Sequence, residues 1–200
     1  MRIRTATSIV IAIFMALGGC ATSAGPATVI RTLHKPNQPG FHNILVVSVA
    51  GEFASRASFE QQLASAIAAS KASASPYYTI VGRKPPLTRG YLDDAIRVRQ
   101  FDAVIFTRIK GQEQEELSRT RPVGAAFDLF GYDYDELNRD VAIGETQSIT
   151  FVSELYATAT REKVWSIDTL SVDKSSVSDL IAEQALTIAD QLKADRLLER

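Results

Sequence analysis

The chain has 200 residues, of which 46% are hydrophobic and 22% are charged, a composition that fits one ordinary globular domain and excludes collagens and disordered tails. Its 22 Lys and Arg against 23 Asp and Glu give a net charge of -1, which argues against nucleic-acid binding. One cysteine and two histidines exclude an intramolecular disulfide and a cysteine-rich zinc site. We therefore expect no cofactor and no bound metal.

Residues 1–19 have the pattern of an export signal. Arg2 and Arg4 precede an apolar run of nine residues from Ile9 to Leu17, which ends in small residues. A helix that spans a bilayer needs roughly 20 apolar residues, so a permanent transmembrane helix is the poorer interpretation. We predict that this segment is removed as a signal peptide.

The only cysteine, Cys20, directly follows Leu17-Gly18-Gly19, and this tetrapeptide resembles a bacterial lipobox. The resemblance implies cleavage before Cys20 and acylation of both its sulfur and its new amino terminus; an unmodified cysteine is the alternative. Several acyl chains together anchor a protein stably. Ala21, rather than Asp, comes next, which resembles the enterobacterial pattern for sorting to the outer membrane. The expected location is the periplasmic face of the outer membrane, with the lipid bilayer as a partner through acylated Cys20.

We predict that residues 20–42 form the lipidated cysteine and a flexible tether. Five residues that break helices and strands interrupt this stretch: Gly25, Pro26, Pro36, Pro39 and Gly40. Its two histidines, His34 and His42, would then lie on mobile backbone, where neither could be held as a metal ligand or a general base. A tether of 22 residues reaches at most about 70 to 80 Å.

The folded domain is predicted to begin at Asn43 with the sequence NILVVSVAG, a continuous apolar run typical of a strand buried on both faces. Ser58-Phe59-Glu60-Gln61 resembles a capping box, and the apolar spacing that follows predicts a helix from about Ala57 to Lys71. Ser75-Pro76 would end this region, and Tyr77 to Val81 is predicted as the next strand.

Alternation of helices and strands is predicted to continue. Thr88 is a candidate cap for a second helix, and the sequence FDAVIFTRI reads as another buried strand. After a segment without clear periodicity, residues 145–156 and the sequence KVWSIDTLSV predict an antiparallel hairpin. Ser176 to Asp179 resembles a capping box at the start of a closing helix, predicted from about Val177 to Leu198.

The predicted order is therefore β-α-β-α-β-β-β-α. Strands linked through helices favour parallel pairing, whereas a hairpin must be antiparallel. We expect an α/β (α+β) sandwich with a mixed sheet and helices packed on it, formed by residues 43–200 as a single periplasmic domain.

No common catalytic motif is present, and the best candidate for cation chemistry is an acidic cluster. Its members are Asp128, Asp133, Asp135, Glu136 and Asp140. Their spacing does not match a calcium loop, so solvated loop carboxylates are the favoured interpretation. The same cluster supplies the alternative function of a periplasmic hydrolase acting on cell-wall glycan, although nothing fixes the separation of a carboxylate pair.

An apolar group close to these carboxylates is a candidate surface for binding a partner. It consists of Phe127, Leu129, Phe130, Tyr132 and Tyr134. The group forms either a small core beneath a long connection or an exposed patch suited to a partner or a membrane surface. The basic stretch Arg83-Lys84-Pro85-Pro86 has a similar duality, and a solvated turn is favoured for it.

The lipobox, the strand ILVVSV, the helix near SFEQQL, FDAVIFTRI and SELYATATREKVWSIDT together resemble small lipoproteins of the bacterial envelope. In that group a strand ending in Tyr, here Tyr156, is followed by a turn and by a strand with Val or Leu before Trp-Ser, here Val164-Trp165-Ser166. The order of elements is similar to domains of the curli secretion lipoprotein, of the TolB amino terminus and of penicillin-binding-protein activator lipoproteins. The resemblance implies a non-enzymatic module that binds other envelope proteins, with no catalytic residues, and it leaves a homo-oligomer open.

Overall fold

The computed structural model describes residues 27–49, 52–70, 72–83, 87–109, 148–172 and 176–199. Within these ranges, six strands are found: β1 (Thr28–His34), β2 (Asn43–Val49), β3 (Ser73–Pro76), β4 (Ala103–Ile109), β5 (Ser148–Ala157) and β6 (Glu162–Val172). The same ranges contain four helices: α1 (Phe53–Ala68), α2 (Tyr78–Val81), α3 (Arg89–Arg99) and α4 (Val177–Ala194). None of these helices is both long and apolar enough to cross a membrane.

All six strands belong to one mixed sheet, in the order β1-β6-β5-β4-β2-β3. Strands β3, β2 and β4 are parallel to one another. Strand β5 is antiparallel to β4, β6 is antiparallel to β5, and β1 is antiparallel to β6. The predicted α/β sandwich on a mixed sheet is thereby confirmed.

Strand β2 shows why the sheet is covered on both faces. Its Ile44 and Val46 pack in the core beneath α1 and α4, whereas Leu45 and Val47 pack in the core beneath α3. All four side chains have no measurable exposure. A continuous apolar run in a strand therefore requires helices on both sides, because successive side chains point to opposite faces.

The prediction of a flexible tether over residues 20–42 is wrong for the stretch Thr28–His34, which forms β1. This strand pairs with β6, with Thr28 opposite Leu170 and His34 opposite Trp165. Its sequence TVIRTLH is rich in β-branched residues, which favour strands. The prolines that suggested a tether, Pro26 and Pro36, lie on either side of this strand and do not interrupt it. The sheet therefore begins before the predicted boundary at Asn43.

The predicted capping box at Ser58 is also wrong. Helix α1 begins at Phe53, with Glu52 at the N-cap position and no capping bond from its side chain. Glu60 therefore lies inside the helix, where its carboxylate is fully buried and bonds to backbone amides of other elements. A local sequence pattern was overridden here by tertiary contacts.

The strand predicted over Tyr77–Val81 lies a few residues too late in the chain. The strand is β3, which ends at Pro76, and residues Tyr78–Val81 form the single turn of α2. Pro76 has no amide hydrogen and occupies the end of an edge strand, a position where proline is tolerated.

The other local predictions hold. Thr88 accepts a hydrogen bond from the Tyr91 amide, and Ser176 accepts one from the Asp179 amide, so both caps are confirmed. The predicted hairpin is confirmed as β5 and β6. The closing helix is confirmed as α4, which ends at Ala194.

Candidate functional site

The carboxyl ends of the three parallel strands lie side by side at one end of the sheet. We call this end, which runs across all six strands, the carboxyl edge. Its strand ends are Val49 of β2, Pro76 of β3 and Ile109 of β4. Helix α1 leads from β2 to β3 on one face, and α3 leads to β4 on the other face. In open α/β sheets, ligands bind beyond the carboxyl ends of the strands where connections diverge in this way. The carboxyl edge is therefore the candidate functional site.

A buried carboxylate, Glu60, joins three elements at this edge. Its Oε1 accepts a hydrogen bond from the Ser48 amide near the end of β2, at 3.0 Å. Its Oε2 accepts a second bond from the Tyr78 amide at the start of α2, at 2.8 Å. Since α1 supplies the carboxylate itself, this one side chain positions β2, α1 and α2 relative to one another.

Burial controls the protonation of Glu60. Loss of water around the carboxylate raises its pKa from an ordinary value of 4.5 to about 7. The backbone amides of Tyr78, Ser48 and Tyr77 and the nearby positive charge of Arg56 act in the opposite direction and are outweighed. The folded protein therefore holds a carboxyl group that changes its charge near neutral pH.

Next to Glu60 lies a group of two arginines and two aromatic rings, which we call the arginine cluster: Phe53, Arg56, Tyr78 and Arg83. The guanidinium carbons of Arg56 and Arg83 lie 5.4 Å and 4.9 Å from the centre of the Phe53 ring. The Tyr78 ring meets Phe53 edge-on, with centroids 6.1 Å apart and planes at 89°. Cation–π contact of this kind holds guanidinium groups in place without neutralising their charge.

In the described part of the chain the arginines of this cluster form no salt bridge, although the charge of Arg56 lies close enough to Glu60 to lower the pKa of that carboxyl group. The Nε of Arg56 is buried and has no hydrogen-bond partner among the described residues. The cluster is therefore chemically suited to receive an anion, since guanidinium groups bind carboxylates and phosphates.

A small apolar pocket lies between β2, β4 and α1 at the same edge. Phe59, Phe151 and Ile181 contribute to its walls. The rings of Phe59 and Phe151 are stacked at 6.3 Å. The hydroxyl of Thr107, which also lines the pocket, is bonded to the Ser153 hydroxyl at 2.8 Å. This pocket is lined mainly by apolar side chains, although Arg108 of β4 also contributes to its wall.

Strands β5 and β6 carry a buried ion pair between Glu154 and Lys163, which helps to hold the two strands together. Lys163 Nζ is 2.9 Å from Glu154 Oε1, and the Tyr156 hydroxyl donates to Glu154 Oε2 at 2.9 Å. All three side chains are almost completely buried. Both oxygens of Glu154 thus have partners, as a buried carboxylate requires.

The histidines lie far from the candidate site. His34 ends β1 opposite Trp165, and His42 precedes β2, so both lie at the edge opposite the carboxyl edge. His42 Nε2 is 3.4 Å from a carboxylate oxygen of Glu199. Within the described ranges, no three His, Cys, Asp or Glu side chains converge as a metal site.

Most residues predicted as sites lie outside the described residues. They are Cys20, the acidic cluster (Asp128, Asp133, Asp135, Glu136 and Asp140) and the aromatic group (Phe127, Leu129, Phe130, Tyr132 and Tyr134). Of the basic stretch, Arg83 is described and belongs to the arginine cluster, whereas Lys84, Pro85 and Pro86 are outside.

Sequence reasoning missed four residues of the carboxyl edge: Phe53, Arg56, Glu60 and Tyr78. Phe53 and Arg56 were missed because the helix was expected to begin at Ala57. The available signal for Glu60 was its place between Phe59 and Leu63 on the apolar stripe of the helix, where a carboxylate must find partners.

Comparison with known proteins finds weak structural similarity only. No protein-family model matches the chain, and no curated protein is significantly similar to it. Among solved structures, the PelC dodecamer from Paraburkholderia phytofirmans is similar at 13% identity and a TM-score of 0.48, covering 87% of this chain and 99% of that chain. A variant of that dodecamer is similar at 14% identity and a TM-score of 0.47, covering 80% and 96%.

A protein from Xanthomonas campestris, described by the family model DUF330, is similar at 11% identity and a TM-score of 0.37, covering 83% of this chain and 89% of that chain. All three TM-scores lie below 0.5, so we draw no conclusion from them about function or assembly. The resemblance to the curli, TolB and activator lipoproteins stays a prediction.

The raised pKa of Glu60 predicts that stability falls as the pH rises. The unfolded state releases this proton near pH 4.5 and the folded state only near pH 7, so the full stability is present below pH 4.5 and is lost between these values. At 1.36 kcal/mol for each tenfold change in proton affinity, the loss amounts to about 3 kcal/mol. Glu60→Gln should remove this dependence, because the amide does not ionise.

Denaturant unfolding at several pH values between 5 and 8 measures the effect. The matched control is Glu52→Gln, an exposed position directly before the same helix, which should keep the slope of the unchanged protein. The substituted protein should also be less stable at low pH, because the amino group of Gln cannot accept a backbone amide hydrogen, whereas the hydroxyl oxygen of protonated Glu60 can. A slope that survives in Glu60→Gln would show that another group controls it.

Proposed function

We propose that the chain is an acylated lipoprotein of the bacterial outer membrane whose α/β domain binds other envelope proteins and catalyses no reaction. The observation that carries the proposal is the position of Cys20, directly after an export signal and within a lipobox-like tetrapeptide. Acylation at this position would leave a mature chain that starts at the cysteine and remains attached to the membrane.

The start of β1 makes this attachment short. Residues 21–27, seven in number, separate Cys20 from Thr28. Eight Cα-to-Cα steps span at most about 30 Å even when fully extended. The domain would therefore stay close to the bilayer, in contrast to the 70 to 80 Å that a free tether of 22 residues would allow.

The rigid construction of the domain supports a binding role. Its sheet is covered by helices on both faces, and the buried Glu60 and Glu154 each bond through both carboxylate oxygens. The exposed side chain of Arg83 and its aromatic neighbours lie on this fixed framework. A rigid element that presents charged and aromatic groups is suited to recognition.

Replacement of the cysteine tests the anchor. Cys20→Ala should leave the chain uncleaved or release it to the soluble fraction, because no thiol remains to be acylated. Ser23→Ala, three residues later, is the matched control and should be processed and retained like the unchanged protein. Fractionation of cells and the mass of the mature amino terminus measure both. Normal processing and membrane retention of Cys20→Ala would refute the anchor.

Crosslinking in intact cells tests the binding role. A short-range crosslinker followed by mass spectrometry should join the unchanged protein to a reproducible envelope protein or to a second copy of itself. The same crosslink should be lost in Cys20→Ala, which lacks the acyl anchor in the outer membrane. A protein that is correctly anchored and yet forms no crosslink would count against a binding module.

A further inference from the structure

The direction of β1 determines where the chain enters the domain. Strand β4 ends at the carboxyl edge, and the three pairings that follow are all antiparallel. Strand β6 therefore also ends at the carboxyl edge, and β1 begins there, with Thr28 opposite Leu170. The segment that comes from Cys20 consequently meets the domain at the carboxyl edge.

This entry point determines which part of the domain is nearest to the anchor. Seven residues, 21–27, connect Cys20 to β1, and their greatest reach is about 30 Å. The start of β1, at the carboxyl edge, must lie within that distance of the acylated residue. The opposite edge, where β4 begins, is farther along the strands by about the length of a seven-residue strand, on the order of 20 Å.

Exposed apolar side chains occur at the ends of the strands and the helix near this entry point. Val29 and Ile30 lie at the start of β1 and are 40% and 56% exposed. Val172 at the end of β6 and Val177 at the start of α4 are 48% and 40% exposed. We call these four residues the valine patch. They make up four of the seven large apolar side chains that are exposed in the described part of the chain.

The arginine cluster also lies at the carboxyl edge, but near β2, toward the other end of the strand order from β1. Four strand spacings separate β1 from β2, which places the cluster on the order of 20 Å from the valine patch. Glu52 and Asp179 are the exposed carboxylates of the described residues near this edge, at the starts of α1 and α4. Among the described residues, this edge thus carries an apolar part beside the anchor and, farther away, a part that contains two arginines and two aromatic rings.

We propose that the carboxyl edge rests on the surface of the anchoring membrane, with the valine patch at the lipid interface and Arg56 and Arg83 bound to phosphate groups of anionic lipids. This proposal rests on the acylation of Cys20. Apolar and aromatic side chains favour the interfacial region, and basic side chains are attracted to anionic headgroups. A guanidinium group can also bind a phosphate through two parallel hydrogen bonds.

The absence of other cysteines allows a direct test in the acylated full-length protein. Cys20 is the only cysteine, so a cysteine introduced elsewhere is the only free thiol after acylation. Ile30→Cys places a fluorescent label in the valine patch. Val98→Cys is the matched control, because it is 65% exposed near the end of α3, at the opposite edge.

Both labelled proteins are reconstituted in vesicles of phosphatidylcholine and phosphatidylglycerol that contain brominated lipid. Bromine quenches only fluorophores that contact the lipid, so the label at position 30 should be quenched and the label at position 98 should not. If the protein floats with the vesicles and both labels are quenched equally or not at all, membrane contact is wrong while the anchor stands. A protein that does not float refutes the anchor itself.

A second comparison tests the arginines. Arg83→Gln removes one charge from the cluster, and Arg99→Gln removes one exposed charge at the opposite edge. In anionic vesicles, Arg83→Gln should lower the ratio of quenched to unquenched label at position 30 about fivefold, whereas Arg99→Gln should leave it unchanged.

Two further arms identify what the arginines bind. In vesicles of phosphatidylcholine alone, the difference between the two variants should disappear if anionic headgroups are bound. If free inorganic phosphate at constant ionic strength abolishes the difference between Arg83→Gln and Arg99→Gln in anionic vesicles, the arginine cluster prefers the soluble ion over the lipid headgroup. That result would contradict lipid binding. Equal effects of Arg83→Gln and Arg99→Gln would contradict the assignment of the arginine cluster.

Discussion

Strand β1 pairs antiparallel with β6, and this pairing decides which end of the sheet lies nearest to the amino-terminal segment. Without it, the chain would enter the domain at Asn43, where β2 begins, at the edge opposite the carboxyl edge. With it, the entry point moves to the end of the sheet that also carries Glu60 and the arginine cluster. One antiparallel ladder thus brings the anchor and the candidate site to the same side of the molecule.

The carboxyl edge is in turn held together by burial of a charge. Glu60 joins β2 and α2 to helix α1, and the Phe53 ring that supports both arginines lies two turns earlier on that helix. Removing one partner of such a buried group leaves the other without compensation, which is more costly than losing an exposed contact. The geometry of the arginine cluster therefore depends on a carboxylate that makes no contact with solvent.

The parts of the fold that depend on neighbouring residues could be predicted from the sequence. The run NILVVSV predicted a strand covered on both faces, and the caps at Thr88 and Ser176 follow from side chains that bond to amides three residues away. The β5–β6 hairpin was predictable because a short turn joins its strands. The mixed sheet follows from combining these elements.

The features of the fold that could not be predicted depend on contacts between residues that are distant in the chain. Strand β1 was missed because its partner β6 is more than 120 residues away, and a short run between prolines gives no local sign of that pairing. Ser58 and Glu60 fit a capping box, but only the folded state shows that the amides of Ser48 and Tyr78 compete for Glu60. The lipidation site and the aromatic group remain predictions from sequence.

Whether β1 begins at the carboxyl edge, paired with β6, can be tested by measuring a distance. Spin labels on Ile30→Cys and Val172→Cys in the acylated protein, where no other thiol is free, report the separation between the start of β1 and the end of β6. The pairing of Thr28 with Leu170 predicts one narrow distribution at a separation below about 20 Å. A broad distribution reaching well beyond that distance would show that residues 28–34 are a free tether and would contradict the account.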